Sequence, residues 1–239
     1  MDDQVMNLHD KIVHKFKELP ADQRLLVGMA GIPGSGKTTL AKVLAHSVNH
    51  DQRINNSSQK DIAIALPMDG FHLTRAQLSA MPDPVLAHAR RGAEFTFDGQ
   101  GFYELVKELR KPIGAECTTI WAPSFDHAVK DPVEKGIEVS KEKRVVIFEG
   151  NYLLLKQKPW SDAAKLMDLT VFVRVPFDVA KARLVPRHVA AGIAATEAEA
   201  IKRVEENDLV NGKMIEDMSN RDEVDVVVES TEDAEWVHA

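Results

Sequence analysis

Along the first twenty residues, Val5, Leu8, Ile12, Val13, Phe16 and Leu19 recur at helical spacing, and Pro20 closes the pattern. This predicts an amphipathic helix with one apolar face. The pattern then changes. Leu25–Ala30 is an unbroken apolar run, a Gly-rich turn follows it, and helical spacing resumes from about Lys37 to Val48. The polar stretch from His50 to Lys60, centred on NNSSQK, reads as a surface loop. Ile62–Leu66, Val145–Phe148, Leu169–Val175 and Val224–Val228 are further continuous apolar runs, as strands buried on both faces should be. Helical patterns lie between them: Phe102, Leu105, Val106 and Leu109 share a face, and Asp178–Val185 and Ala198–Met218 read as helices. From Leu66 to about Asp98 the chain is rich in Pro, Arg and Gly and is predicted irregular.

Strands alternating with helices predict an α/β fold, a mostly parallel five-stranded sheet with helices on both faces. No internal repeat or linker divides the chain. Residues 1–20 are expected to pack as a helix on a single domain formed by residues 21–239.

Composition narrows the partners. At 239 residues and 44% hydrophobic content the chain can bury a full core. A formal net charge of −7 argues against a general nucleic-acid binder. No apolar run approaches the roughly 18 residues of a membrane span, and the acidic, Arg-poor N-terminus carries no targeting pattern. Cys117 is the only cysteine, so an intrachain disulfide is excluded, and a reducing, cytoplasmic setting with a buried Cys117 thiol is expected. A homodimer is compatible with this composition.

Chemistry enters at GIPGSGKTT, Gly31 to Thr39, which matches G-x-x-x-x-G-K-[ST] with a predicted strand before it and a helix after it. Gly31, Gly34 and Gly36 allow the tight turn that, with Ser35 and Thr39, aims successive N–H groups at phosphate oxygens. Lys37 is suited to neutralise the β- and γ-phosphates of ATP, and the Thr38 hydroxyl to hold Mg²⁺. The helix N-terminus adds favourable partial charge. A second carboxylate is expected at the end of a neighbouring strand, and Glu149 in VVIFEGNY stands there, acting on the metal directly or through water. Asp69, in PMDGFHL after the second strand, is either a turn residue or a base.

Five further stretches occur in order: PMDGFHL, ARRGAEFTFD, APSFDHAVKDP, EGNYLLL and RLVPRHVAAG. With the P-loop, this set resembles the phosphoribulokinase, uridine kinase and type I pantothenate kinase family of P-loop small-molecule kinases, over roughly residues 24 to 229. MDGFH and EGNYLLL are also similar to short kinase-like proteins of fungi and bacteria. The resemblance implies ATP-dependent phosphoryl transfer to a hydroxyl of a small polar metabolite, with a helical lid at about 183–212.

By that resemblance Asp69 is the base for the acceptor hydroxyl, and Arg187 and Arg183 are lid arginines over the transferred group. His127 is a substrate-contacting histidine, in a P-x-aromatic-x-H-x-x-x-D pattern with Pro123, Phe125 and Asp131. Phe71 and His72 would begin the pocket wall. Arg90 and Arg91 stand on the substrate side, as contacts to a polar or anionic group or as a solvated pair. Phe97 with Asp98 resembles the family's aromatic-Asp pair, Asp98 also being placed to cap a helix. Tyr152 has two roles open, pocket wall or packing. Asn220 would lie near the adenine. Arg174 and Arg203 are further candidates for the lid role, although isolated arginines are usually surface residues. Pro186 is expected to break or begin a helix, separating Arg183 from Arg187.

The sequence departs from the pattern in two places. Phe125 stands where pantothenate kinases have Tyr, and the pyrimidine-recognition order of uridine kinases is not clearly present, so neither substrate name transfers. An ATP hydrolase and a catalytically silent nucleotide-binding module are the alternatives.

Overall fold

The computed structural model describes residues 3–51, 54, 60–114, 118–126, 128–220 and 223–230. His127, Cys117 and most of the polar stretch 50–60 lie outside these residues. The elements, in chain order, begin with α1 (Asp3–Glu18), β1 (Leu25–Gly31), α2 (Lys37–His50) and β2 (Ala63–Pro67). A 3₁₀ turn (Met68–Phe71), α3 (Arg75–Ser79), α4 (Pro84–Ala89) and α5 (Gly99–Arg110) follow. Next come β3 (Ile120–Asp126), β4 (Asp131–Val139), β5 (Val145–Gly150), α6 (Trp160–Ala164) and β6 (Leu169–Arg174). The chain closes with α7 (Phe177–Ala190), α8 (Glu197–Arg203), α9 (Leu209–Met218) and β7 (Val226–Glu229).

The main sheet has five parallel strands in the order β2-β5-β1-β6-β7. Its period-2 alternation feeds two cores. Leu26, Ala30, Val146, Phe148 and Phe172 face α5, whose Phe102, Val106 and Leu109 join that cluster. Leu25, Val27, Met29, Val145, Ile147, Val171 and Val173 face α2 and the apolar stripe Val5, Leu8 and Ile12 of α1. Burial on both faces is why these strands read as unbroken apolar runs. Helix α1 also covers the sheet edge: the Gln4 amide bonds the Glu229 backbone in both directions, at 3.2 and 2.9 Å.

Two expectations need correction, and one motif acquires a structure that the sequence pattern did not assign. The stretch before Asp98 is not simply irregular, since it contains α3 and α4. Both are N-capped, by Thr74 and Asp83, but are too short to show a period. APSFDHAVKDP belongs to an antiparallel hairpin, β3–β4, with a register shift between Ala122 and Ser124. Pro123 lies at that shift, where its missing N–H costs no ladder bond. Pro186 does not end a helix. Helix α7 continues through it, and both Pro186 and Ala182, one turn earlier, are exposed, so water can serve the carbonyl that the proline leaves unpaired. Arg183 and Arg187 therefore share one helix and, four residues apart, one face.

Helices α8 and α9 are joined by a π-helical turn, Val204–Asp208, which turns Asn207 into the protein, 3% exposed. Such insertions recur at functional sites.

Candidate active site

Parallel α/β sheets bind ligands beyond the carboxyl ends of their strands, and the P-loop, Glu149 and Arg183 meet there. After β1 the backbone turns through Gly34 (φ 80°) and Gly36 (φ 87°), left-handed conformations that carry no steric cost only for glycine. Lys37 then opens α2. Lys37 is 9% exposed, and among the described residues its ammonium has one hydrogen-bond partner, the Ile32 carbonyl at a long 3.5 Å. Burial holds its pKa below the ordinary lysine range, Glu149 and Asp69 oppose that shift, and Arg187 adds to it.

Glu149, near the end of β5, is 5% exposed and accepts a hydrogen bond from the Thr38 hydroxyl at 3.0 Å. Burial pushes its carboxyl above the usual range, Lys37 pulls it back, and Asp69 raises it further. Glu149, Asp69 and Arg187 thus all act on the charge of Lys37. Arg183 is fixed at the same place: its Nη1 donates to the Gly34 carbonyl at 3.1 Å and to the Ser230 hydroxyl at 2.9 Å.

Asp69 sits in the 3₁₀ turn that follows β2, and two contacts set this turn. The Asp69 carbonyl accepts from the His72 N–H at 3.1 Å and meets His72 Nδ1 at 2.8 Å. Beneath it Gly70 packs so closely on the hairpin that a Cβ would lie 2.1 Å from the Pro123 carbonyl oxygen. Gly70→Ala should therefore destabilise the protein by about 1–3 kcal/mol and lower turnover, because Asp69 moves with the turn. Chemical denaturation beside a turnover assay checks this; unchanged stability would show that the hairpin yields freely.

An aromatic wall continues from the turn. His72 stacks between Phe97 and Phe125, with ring centroids 4.0 and 4.8 Å away, and Phe97 meets Tyr152 edge-on at 5.4 Å. Tyr152 is fully buried and donates its hydroxyl to the Gly92 carbonyl at 2.5 Å, so it packs and supports the loop rather than facing an open pocket. Asp98 caps α5 through the Gly101 N–H. Arg91 is tied down by Asp131 at 3.0 Å, by the carbonyls of Leu73 and Lys130 at 3.1 and 2.6 Å, and by the Phe125 ring. Among the described residues the contacts of Asn220 are to Leu154 and Glu223, not to the P-loop.

Sequence reasoning missed Ser230, Asn207, Asn211 and the buried pair of His188 and Asp208, 2.9 Å apart across the lid. Arg203 is not a surface residue either, since it donates to the carbonyls of Ala89 and Arg91 at 2.6 and 2.7 Å. A buried amide one π-turn into a helix has no local signature.

A P-loop on a parallel sheet with a strand-end carboxylate, a second carboxylate and a basic lid defines a P-loop kinase. The profile of the Phosphoribulokinase / Uridine kinase family matches residues 26–202, and the chain belongs to that family. A candidate uridine kinase of Schizosaccharomyces pombe is 44% identical over 209 residues, 87% of this chain and 85% of that protein. The structure of a candidate fructose transport system kinase from Silicibacter sp. TM1040 superposes with a TM-score of 0.75 at 32% identity, covering 92% of this chain and 98% of the other. YFH7 from Saccharomyces cerevisiae gives a TM-score of 0.80 at 25% identity, covering 94% and 98%. No helix among the described residues is long and apolar enough to cross a membrane.

Proposed function

We propose that this chain is an ATP-dependent kinase that phosphorylates a hydroxyl of a small polar metabolite. The observation that carries this reading is that Asp69 lies within electrostatic reach of Lys37 and Glu149 and adjoins an aromatic wall. Hydrolysis of ATP alone needs no such wall.

The residues present suit a nucleotide and a hard cation. Lys37 is a buried ammonium with, among the described residues, a single long hydrogen bond, a group that calls for an anion. Thr38 and Glu149 offer two oxygen donors in contact, and Mg²⁺ is usually bound by one or two such groups with the phosphates. When bound, the ion neutralises charge on the β- and γ-phosphates. The chain's own residues do the rest. Lys37 and Arg187 counter charge on the phosphoryl oxygens. Asp69 takes the proton of the acceptor hydroxyl while its oxygen bonds the γ-phosphorus, and the bond from that phosphorus to the bridging oxygen breaks to release ADP.

The relatives' names point to a nucleoside in one case and to a sugar transport system in another, both hydroxyl-rich. An ATP-consumption screen across nucleosides, sugars, sugar acids and pantothenate-like acids, with mass identification of the product, tests the reading. Acceptor-dependent turnover supports it. ATP turnover that no acceptor changes marks a hydrolase, and tight ATP binding without turnover marks a silent module.

A further inference from the structure

Arg90, the residue that caps the C-terminus of α4, is held by two neutral side chains of the lid. Its Nε donates to Asn207 Oδ1 at 2.9 Å and its Nη2 to Asn211 Oδ1 at 2.8 Å. Both asparagines are buried. Other arginines of the fold meet carboxylates: Arg91 meets Asp131, Arg110 meets Asp168 and Arg174 meets Glu229. Among the described residues no carboxylate lies within ion-pair distance of Arg90, although the guanidinium is half-buried.

Its neighbour Arg203 is similar, bound to backbone carbonyls with its Nε buried and unpartnered. Burial holds Arg203 below the usual arginine range against the pull of Asp208, and the charge of Arg90 lowers it further. The nearby carboxylates are engaged elsewhere: Asp208 with His188, and Glu94 with the indole N–H of Trp160 at 2.6 Å. Arg90 and Asp69 both act on the buried Tyr152 phenol, which burial and Glu94 push up and Arg90 pulls down. The Tyr152 hydroxyl donates to the Gly92 carbonyl, two residues from Arg90, and its ring meets Phe97, which packs on His72 of the Asp69 turn, so the loop carrying Arg90 and the turn carrying the base meet one aromatic wall.

Two amide oxygens orient a guanidinium without neutralising it. Among the described residues its Nη1 has no hydrogen-bond partner, and it is not among the buried unpartnered atoms. Charged hydrogen bonds are roughly twice as strong as neutral ones, and the planar fork matches oxyanions. A guanidinium already fixed in place loses little entropy on binding.

We propose that Arg90, oriented by Asn207 and Asn211, binds an oxyanion of the acceptor. The substrate is then a hydroxy acid or a phosphorylated polyol, not a neutral sugar or nucleoside. The inference rests on the kinase reading for its meaning as a substrate class, and its test separates the two.

Matched trios serve as probes: glycerol, glycerate and glycerol phosphate; ribose, ribonate and ribose phosphate. Each is measured by calorimetry on the full chain with a non-hydrolysable ATP analogue, and by ATP turnover. The anionic members of at least one trio should bind at least about tenfold tighter than the neutral member. Which anion binds tells carboxylate from phosphate.

Asn211→Asp is the decisive variant. It converts the strut into an ion pair, so a merely structural Arg90 would keep or gain melting temperature and leave ligand binding unmoved. The proposal expects retained folding with anion affinity down about tenfold or more and the neutral member unaffected; Arg90→Gln should behave alike, and if it fails to fold, N211D alone decides. Tighter binding of the neutral members, equal anion affinity in parent and N211D, or no anion binding at all overturns the inference. Anion binding on Arg90 without turnover overturns the kinase reading instead, and turnover of neutral members alone overturns only the anion.

Discussion

Asp69→Asn is expected to lower phosphoryl transfer by a factor on the order of 10² or more while ATP affinity stays within a few-fold of the parent. The substitution keeps shape and removes the proton acceptor, since an amide oxygen is too weak a base to take a hydroxyl proton in the transition state. The hydrogen bonds that shape the turn involve the Asp69 carbonyl, not its side chain, so the backbone should hold. Single-turnover kinetics with saturating acceptor, beside a nucleotide titration, separates the two quantities. Full turnover in the variant would remove Asp69 from the reaction. Loss of ATP binding together with turnover would assign it to the nucleotide instead.

Lys37→Ala should weaken ATP binding by about tenfold to a hundredfold, the worth of a charged hydrogen bond to phosphate, with turnover falling further. The nucleotide-free protein should behave oppositely. Its buried ammonium has a folded-state pKa below the unfolded 10.5, so the unfolded chain binds more protons between those two values. Stability therefore rises with pH across that window and is lost as pH falls through the folded value. K37A should flatten that slope without lowering the melting temperature, while the stabilisation normally given by ATP disappears. Thermal melts over an alkaline pH series, with and without nucleotide, check both parts. An ATP-induced shift equal to the parent's would contradict the role given to Lys37.

The features legible in the sequence are those set by neighbours in the chain. Strands buried on both faces write continuous apolar runs, and Leu25, Val145 and Leu169 begin such runs as read. The P-loop is a local turn whose Gly34 and Gly36 stand where φ is positive, so spacing alone located it. The β3–β4 hairpin was hidden because Pro123, Pro132 and Gly136 interrupt its alternation and β4 is largely exposed. Helices α3 and α4 were hidden by length. Pro186 misled because a proline inside a helix is normally costly, yet the affected turn faces water.

Sequence by itself determined the sheet, the phosphate turn and the order of motifs, because each depends on residues within a few positions of one another. Only the tertiary structure decided which charges meet. Arg90 finds Asn207 and Asn211 across 117 and 121 residues, and Arg183 finds Gly34 across 149. Hydrogen bonds between segments so far apart exist only once the two cores have packed, and nothing local to either partner announces them.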